Sequence, residues 1–165
     1  MKKIIILLIS VVLLTLDNTI LPFYFAEWGF PSLLFVFTIA LSIIRGKDEA
    51  IIIGIISGFL QDIFFFRGFG ANMLLNMLLC VLAASIGDSI FKENKLIPVI
   101  TCFILSILKV FGVAIILQLF SESINMRTAL ISAMLNAVVM LLVYKKVFSL
   151  SEKYFEADKW RLKWL

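Results

Sequence analysis

The sequence predicts an all-α integral membrane protein, a transmembrane bundle of six helices. Three observations carry that prediction. Hydrophobic residues make up 62% of the 165 positions and charged residues only 16%, so a water-soluble fold of this length would lack polar side chains to cover its surface. The apolar residues fall into six runs separated by short polar or charged segments, and a helix of about 20 apolar residues crosses a bilayer. The basic residues gather at one end of those runs, as they do on the cytoplasmic side of a membrane protein.

The transmembrane domain is expected over 1–148, with approximate spans 4–25, 28–44, 50–66, 71–91, 97–120 and 128–148. Met1-Lys2-Lys3 precedes an apolar run with no small-x-small cleavage site after it, so an uncleaved first helix is expected, irregular near Asp17 and Pro22. Tyr24 and Trp28 belong at headgroup depth, in an interfacial turn with Glu27, Gly29 and Pro31. The second helix is short and gains its opening turn from Trp28–Pro31. Arg45–Glu49 reads as a charged loop, Arg67–Gly70 as a tight turn, and Lys92–Lys95 as the close of the fourth helix. Pro98 sits in the first turn of the fifth, where proline is tolerated. Ser121–Arg127 is a polar loop before the sixth.

The tail 149–165 places Leu150, Tyr154, Ala157, Trp160 and Trp164 at helical spacing. It reads as a cytoplasmic amphipathic helix at the headgroups, with Lys159, Arg161 and Lys163 near anionic lipid. A plain extension of the last helix and a docking surface for a cytoplasmic partner are the other readings.

With six spans, one side of the membrane holds Lys2, Lys3, Arg45, Lys47, Lys92, Lys95, Lys145, Lys146 and the four basic residues of the tail, twelve of the fifteen Lys and Arg. Both termini are therefore expected in the cytoplasm.

In the third helix Gly54, Gly58 and Asp62 recur every four residues and share one stripe. Small residues let helix backbones approach closely in a bilayer, so this stripe is a helix-docking face. Polar residues inside spans are expensive in hydrocarbon. Counting about 1.5 Å of rise per residue, Asp17, Asp62, Asn76, Lys109 and Asn136 fall in one intramembrane layer. Lys109 is expected to be neutralised by Asp62 or Asp17. The layer either fixes the register of the bundle or forms a polar site for a ligand or a partner's helix.

Other chemistries find little support. The chain has no histidine, the commonest general base and metal ligand. Paired acids and glycine-rich phosphate loops are also missing, so no enzyme, cofactor or metal centre is expected. Cys80 and Cys102 lie in apolar runs and read as reduced, buried thiols. Nucleic-acid binding is not expected, because topology already accounts for the scattered basic residues.

The segment from Pro31 to Asn94 resembles the rod shape-determining MreD family. The resemblance rests on Pro31 leading the second helix, Gly58 and Asp62 in a Gly-x-x-x-Asp helix, Gly70 opening the next helix eight residues later, and Asn72 and Leu74 after it. Phe64-Phe65-Phe66-Arg67 departs from the small residues usual in that turn. The resemblance implies a fold like the substrate-binding component of energy-coupling-factor transporters. It also implies a non-enzymatic scaffold of cell elongation in the bacterial cytoplasmic membrane. Its partners would be an MreC-type bitopic protein, MreB, a RodA-type glycosyltransferase with its penicillin-binding transpeptidase, and membrane lipid. The alternative is a vitamin-binding component of an energy-coupling-factor transporter. Against it, the first helix lacks the alanine-x-x-x-alanine docking motif and the outer loops are short.

Overall fold

The computed structural model describes residues 2–25, 29–64, 69–89, 96–118 and 125–155. Six α-helices follow one another: α1 Lys2–Phe25, α2 Leu33–Arg45, α3 Lys47–Asp62, α4 Ala71–Asp88, α5 Leu96–Gln118 and α6 Met126–Phe155. Four of them, α1, α4, α5 and α6, are long and apolar enough to cross a membrane. α2 is apolar but has only 13 residues, and α3 has 16.

α2 is the axis of the bundle. All ten residues from Leu34 to Ile43 are buried, and α2 packs against each of the other five helices. A helix apolar on every face is one enclosed on every face. Phe35, Ile39, Leu79, Met140 and Tyr144 join the central cluster around it. The outer faces are also apolar. Ile100, Ile104, Leu108, Phe111 and Ile115 of α5 recur at three and four residues and are 46–64% exposed, which in a bilayer is a lipid-facing stripe.

Backbone geometry explains where the helices start. Gly29 has φ +93° and its Cα lies so close to α6 that an added Cβ would stand 2.6 Å from the Thr128 carbonyl oxygen. Pro31 and an extended Ser32 follow, so α2 opens at Leu33, and Gly29–Pro31 do not form the opening turn expected from Trp28–Pro31. Ser32 is the N-cap, accepting from the Phe35 N–H. Gly46, at φ 90° and ψ 177°, is the single residue between α2 and α3. That conformation is almost exclusive to glycine.

Lys47, Asp48 and Glu49 form the first turn of α3, although the sequence reads as a loop there. Acids suit a helix N-terminus, and the Arg45 guanidinium pairs with Glu49 one turn on. α1 runs through Pro22 without a break. Asn125 caps α6 by accepting from the Arg127 N–H at 3.1 Å. α6 continues past Phe148 to Phe155, so this part of the tail extends the last helix. Glu27 and Trp28, Arg67 and Gly68, Lys92–Lys95, Ser121–Ile124 of the polar loop and the tail from 156 lie outside the described residues.

Candidate functional site

The longest shared interface is that of α3 with α4. A Cβ on Gly54 would stand 2.6 Å from the Met77 Cα, and one on Gly58 would overlap the Met73 Cα and the Asn72 carbonyl. The glycine stripe thus has an occupant, α4 of the same chain, and leaves no room for a partner's helix.

Asp62 ends this stripe and is 1% exposed. An acid in the last turn of a helix opposes that helix's dipole, and its carboxylate turns instead to the start of α4. It accepts from the backbone N–H groups of Gly70 at 3.0 Å, Asn72 at 3.0 Å and Met73 at 2.9 Å. The Asn72 side-chain amide donates to it at 3.1 Å. Gly70, at φ 96°, is the N-cap of α4 and has no side chain to cap with. Its left-handed backbone turns the orphan donors of α4 toward Asp62.

Asp17 of α1 does the same for α2. It accepts from Leu33 N–H at 2.8 Å, Leu34 N–H at 3.1 Å and the Ser32 hydroxyl at 3.0 Å. Two helices that begin inside the bundle are thus capped by carboxylates of the helices before them.

Ser32 is also the hub of a wider network. Its backbone N–H donates to Asn136 Oδ1 at 2.8 Å, and Asn136 Nδ2 donates to Ser106 Oγ at 3.1 Å. Gln61 Nε2 donates to Ser32 Oγ at 3.2 Å. Gln61 Oε1 receives two donors, Lys109 Nζ at 2.7 Å and Asn76 Nδ2 at 3.0 Å. Asn76 Nδ2 also reaches Ser57 Oγ at 3.2 Å. Asp17, Ser32, Ser57 and Gln61, Asn76, Ser106 and Lys109, and Asn136 come from or cap α1 to α6 in turn. Every helix contributes.

The sequence-based layer is therefore split. Asp17, Asn76, Lys109 and Asn136 meet in the Ser32 network, while Asp62 stands apart at the α4 cap. The expected ion pair is not formed among the described residues. Lys109 bonds Gln61, the neighbour of Asp62, and lies 4.5 Å from the Phe35 ring centroid, where the ring face attracts a cation.

Ser32, Ser57, Gln61 and Ser106 are not among the residues the sequence reading singles out. A signal for two of them existed: Ser57 and Gln61 are four apart, a polar stripe beside the glycine stripe. Asn76 Oδ1 is the buried side-chain oxygen without a partner among the described residues. Cys80 and Cys102 are free and buried. No cluster of three or more His, Cys, Asp or Glu fit to hold a metal occurs among the described residues.

A family model described as rod shape-determining protein MreD matches residues 1–153. The chain belongs to the MreD family. No curated protein and no solved structure shows a significant match to it. MreD proteins are structural proteins that act in rod shape determination, and with its apolar helices this MreD is a bacterial inner-membrane protein. The positions that carried the resemblance now have local roles. In this MreD, Gly58 admits α4, Gly70 turns into it, and Asp62 and Asn72 hold that turn. Pro31 stands just before the Ser32 cap of α2.

Proposed function

We propose that this MreD is a non-enzymatic membrane scaffold of the cell-elongation machinery, assembling or regulating peptidoglycan synthesis. In this reading it spans the membrane six times, in a fold like the substrate-binding component of energy-coupling-factor transporters, with both termini cytoplasmic. Its partners are an MreC-type bitopic protein, MreB, and a RodA-type glycosyltransferase with its penicillin-binding transpeptidase.

Family membership over residues 1–153 carries the reading. The interior supports it: buried polar groups bond one another and tie six helices into one body. Such networks rigidify a core and specify a unique arrangement. The apolar outer stripe of α4, Leu74, Leu78 and Leu82, is then a face that a partner helix meets.

The test is affinity purification of the tagged chain from detergent-solubilised membranes, with mass spectrometry of what accompanies it. The expected result is an MreC-type protein together with the RodA-type synthase. Recovery of an ATPase with a coupling membrane subunit would replace the scaffold by the transporter component.

A further inference from the structure

α1 packs on α2 and α3, and between α1 and α6 a groove of about 230 Å³ opens over α2. Its walls are apolar: Ile9 and Leu13 on one side, Val36 at the floor, Val139 and Val143 on the other. Of the described residues that line it, Lys146 alone is charged, and Lys146 is exposed.

Along α6 the lining runs from Val139 to Leu150, about 16 Å at 1.5 Å per residue. That is half of the roughly 30 Å hydrocarbon core, the depth of one leaflet. Spread over this length, 230 Å³ open to the centres of water-sized spheres gives a mean cross-section of about 14 Å², which with a 1.4 Å radius added on each side is a slot about 7 Å wide, against about 10–12 Å for a helix with side chains. A hydrocarbon chain fits this slot and a helix does not. Lys146 stands about one turn short of the Leu150 end and there selects a negative headgroup, since each basic residue near a membrane surface attracts anionic lipid.

We propose that the groove between α1 and α6 is a binding site for one acidic phospholipid. An acyl chain lies along Leu13, Val36 and Val143, and the phosphate is held at Lys146. The inference rests on the membrane setting alone and not on the partners proposed above.

The purified chain, stripped with detergent, is titrated with dioleoylphosphatidylglycerol or dioleoylphosphatidylcholine, and bound lipid is counted by native mass spectrometry. Wild type is expected to bind one phosphatidylglycerol about fivefold more tightly than phosphatidylcholine, the factor that ~1 kcal/mol per basic residue gives. Lys146→Gln removes that preference, Lys145→Gln leaves it, and Val143→Phe abolishes binding of both lipids. Lys146→Gln changes a surface side chain, so its result does not depend on the core tolerating Val143→Phe. Equal binding of the two lipids by wild type, or equal loss in Lys145→Gln and Lys146→Gln, overturns the proposal. So does a photo-reactive residue at Val143 that captures a polypeptide in membranes and no lipid.

Discussion

Lys109 and Asp17 are joined through Gln61 and Ser32, and the three hydrogen bonds all point the same way. The ammonium donates to the Gln61 carbonyl, the Gln61 amide donates to the Ser32 hydroxyl, and that hydroxyl donates to the carboxylate. Aligned donors polarise one another, so the cation and the anion are linked without touching. The carboxylate is left free to cap α2.

This arrangement separates two double-mutant cycles. Gln61→Leu and Lys109→Met are expected to couple by about 0.5–3 kcal/mol, as groups in one network do. Asp62→Ala and Lys109→Met should be additive within about 0.5 kcal/mol, since they belong to different clusters. Thermal unfolding in detergent can be followed with a thiol-reactive dye, because Cys80 and Cys102 are free and buried until the bundle opens. Strong coupling of Asp62 with Lys109 would restore a direct ion pair.

Asp62→Ala strips the start of α4 of its acceptor and leaves the donors of Gly70, Asn72 and Met73 unsatisfied. Hydrogen bonds to a charged group are worth about 1.5–3 kcal/mol. Asp62→Ala is therefore expected to lower the unfolding temperature well below that of Asp62→Asn, which keeps one acceptor. Asp17→Ala and Asp17→Asn should repeat the pattern at α2. An Asn variant as unstable as Ala at either site would show that the charge, not the cap, is what counts.

Gly58→Leu drives a side chain into the Met73 backbone and should leave little folded protein. Gly46→Ala meets nothing within 4 Å but forces a side chain into a glycine-only conformation, a cost of about 1–3 kcal/mol. Size-exclusion chromatography of fluorescent fusions distinguishes them: aggregate for the first, a folded peak with lowered melting temperature for the second.

The topology proposed here puts a reporter fused after Phe155 in the cytoplasm. A green fluorescent protein fusion there is expected to fluoresce, and an alkaline phosphatase fusion to be inactive. The reverse pattern would invert the orientation.

Much of this architecture can be read from the residues, and the reasons for the rest are physical. Hydropathy marks the apolar helices, and four-residue spacing places Gly54, Gly58 and Asp62 on one face. Spacing does not say which helix meets that face, and here it is the next one in the chain. Counting 1.5 Å per residue gives Asp62 and Lys109 similar depth, but depth carries no information about direction around the axis. Lys109 consequently bonds Gln61, one residue from the carboxylate assigned to it. Ser32 was hidden for another reason. Its role depends on Asp17, Gln61 and Asn136 arriving from three other helices, and none of that is local. The first turn of α3 reads as a loop in the sequence because its charges look like a break, whereas Asp48 and Glu49 suit a helix start.

The shortness of α2 bears on how such a protein adapts to its host. Thirteen residues rise about 20 Å, some 10 Å less than the hydrocarbon core. A lipid-facing helix of that length would suffer hydrophobic mismatch and deform the bilayer around it. Sheathed by five neighbours, α2 is kept from the bulk bilayer, and the shortfall is filled by the non-helical Gly29–Ser32 backbone, tolerable at depth because protein surrounds it. Core and rim are thereby uncoupled. A thicker or thinner membrane can then be met by lengthening or trimming α5 and α6, with the stretch from Ser32 to Gly46 left at its present length.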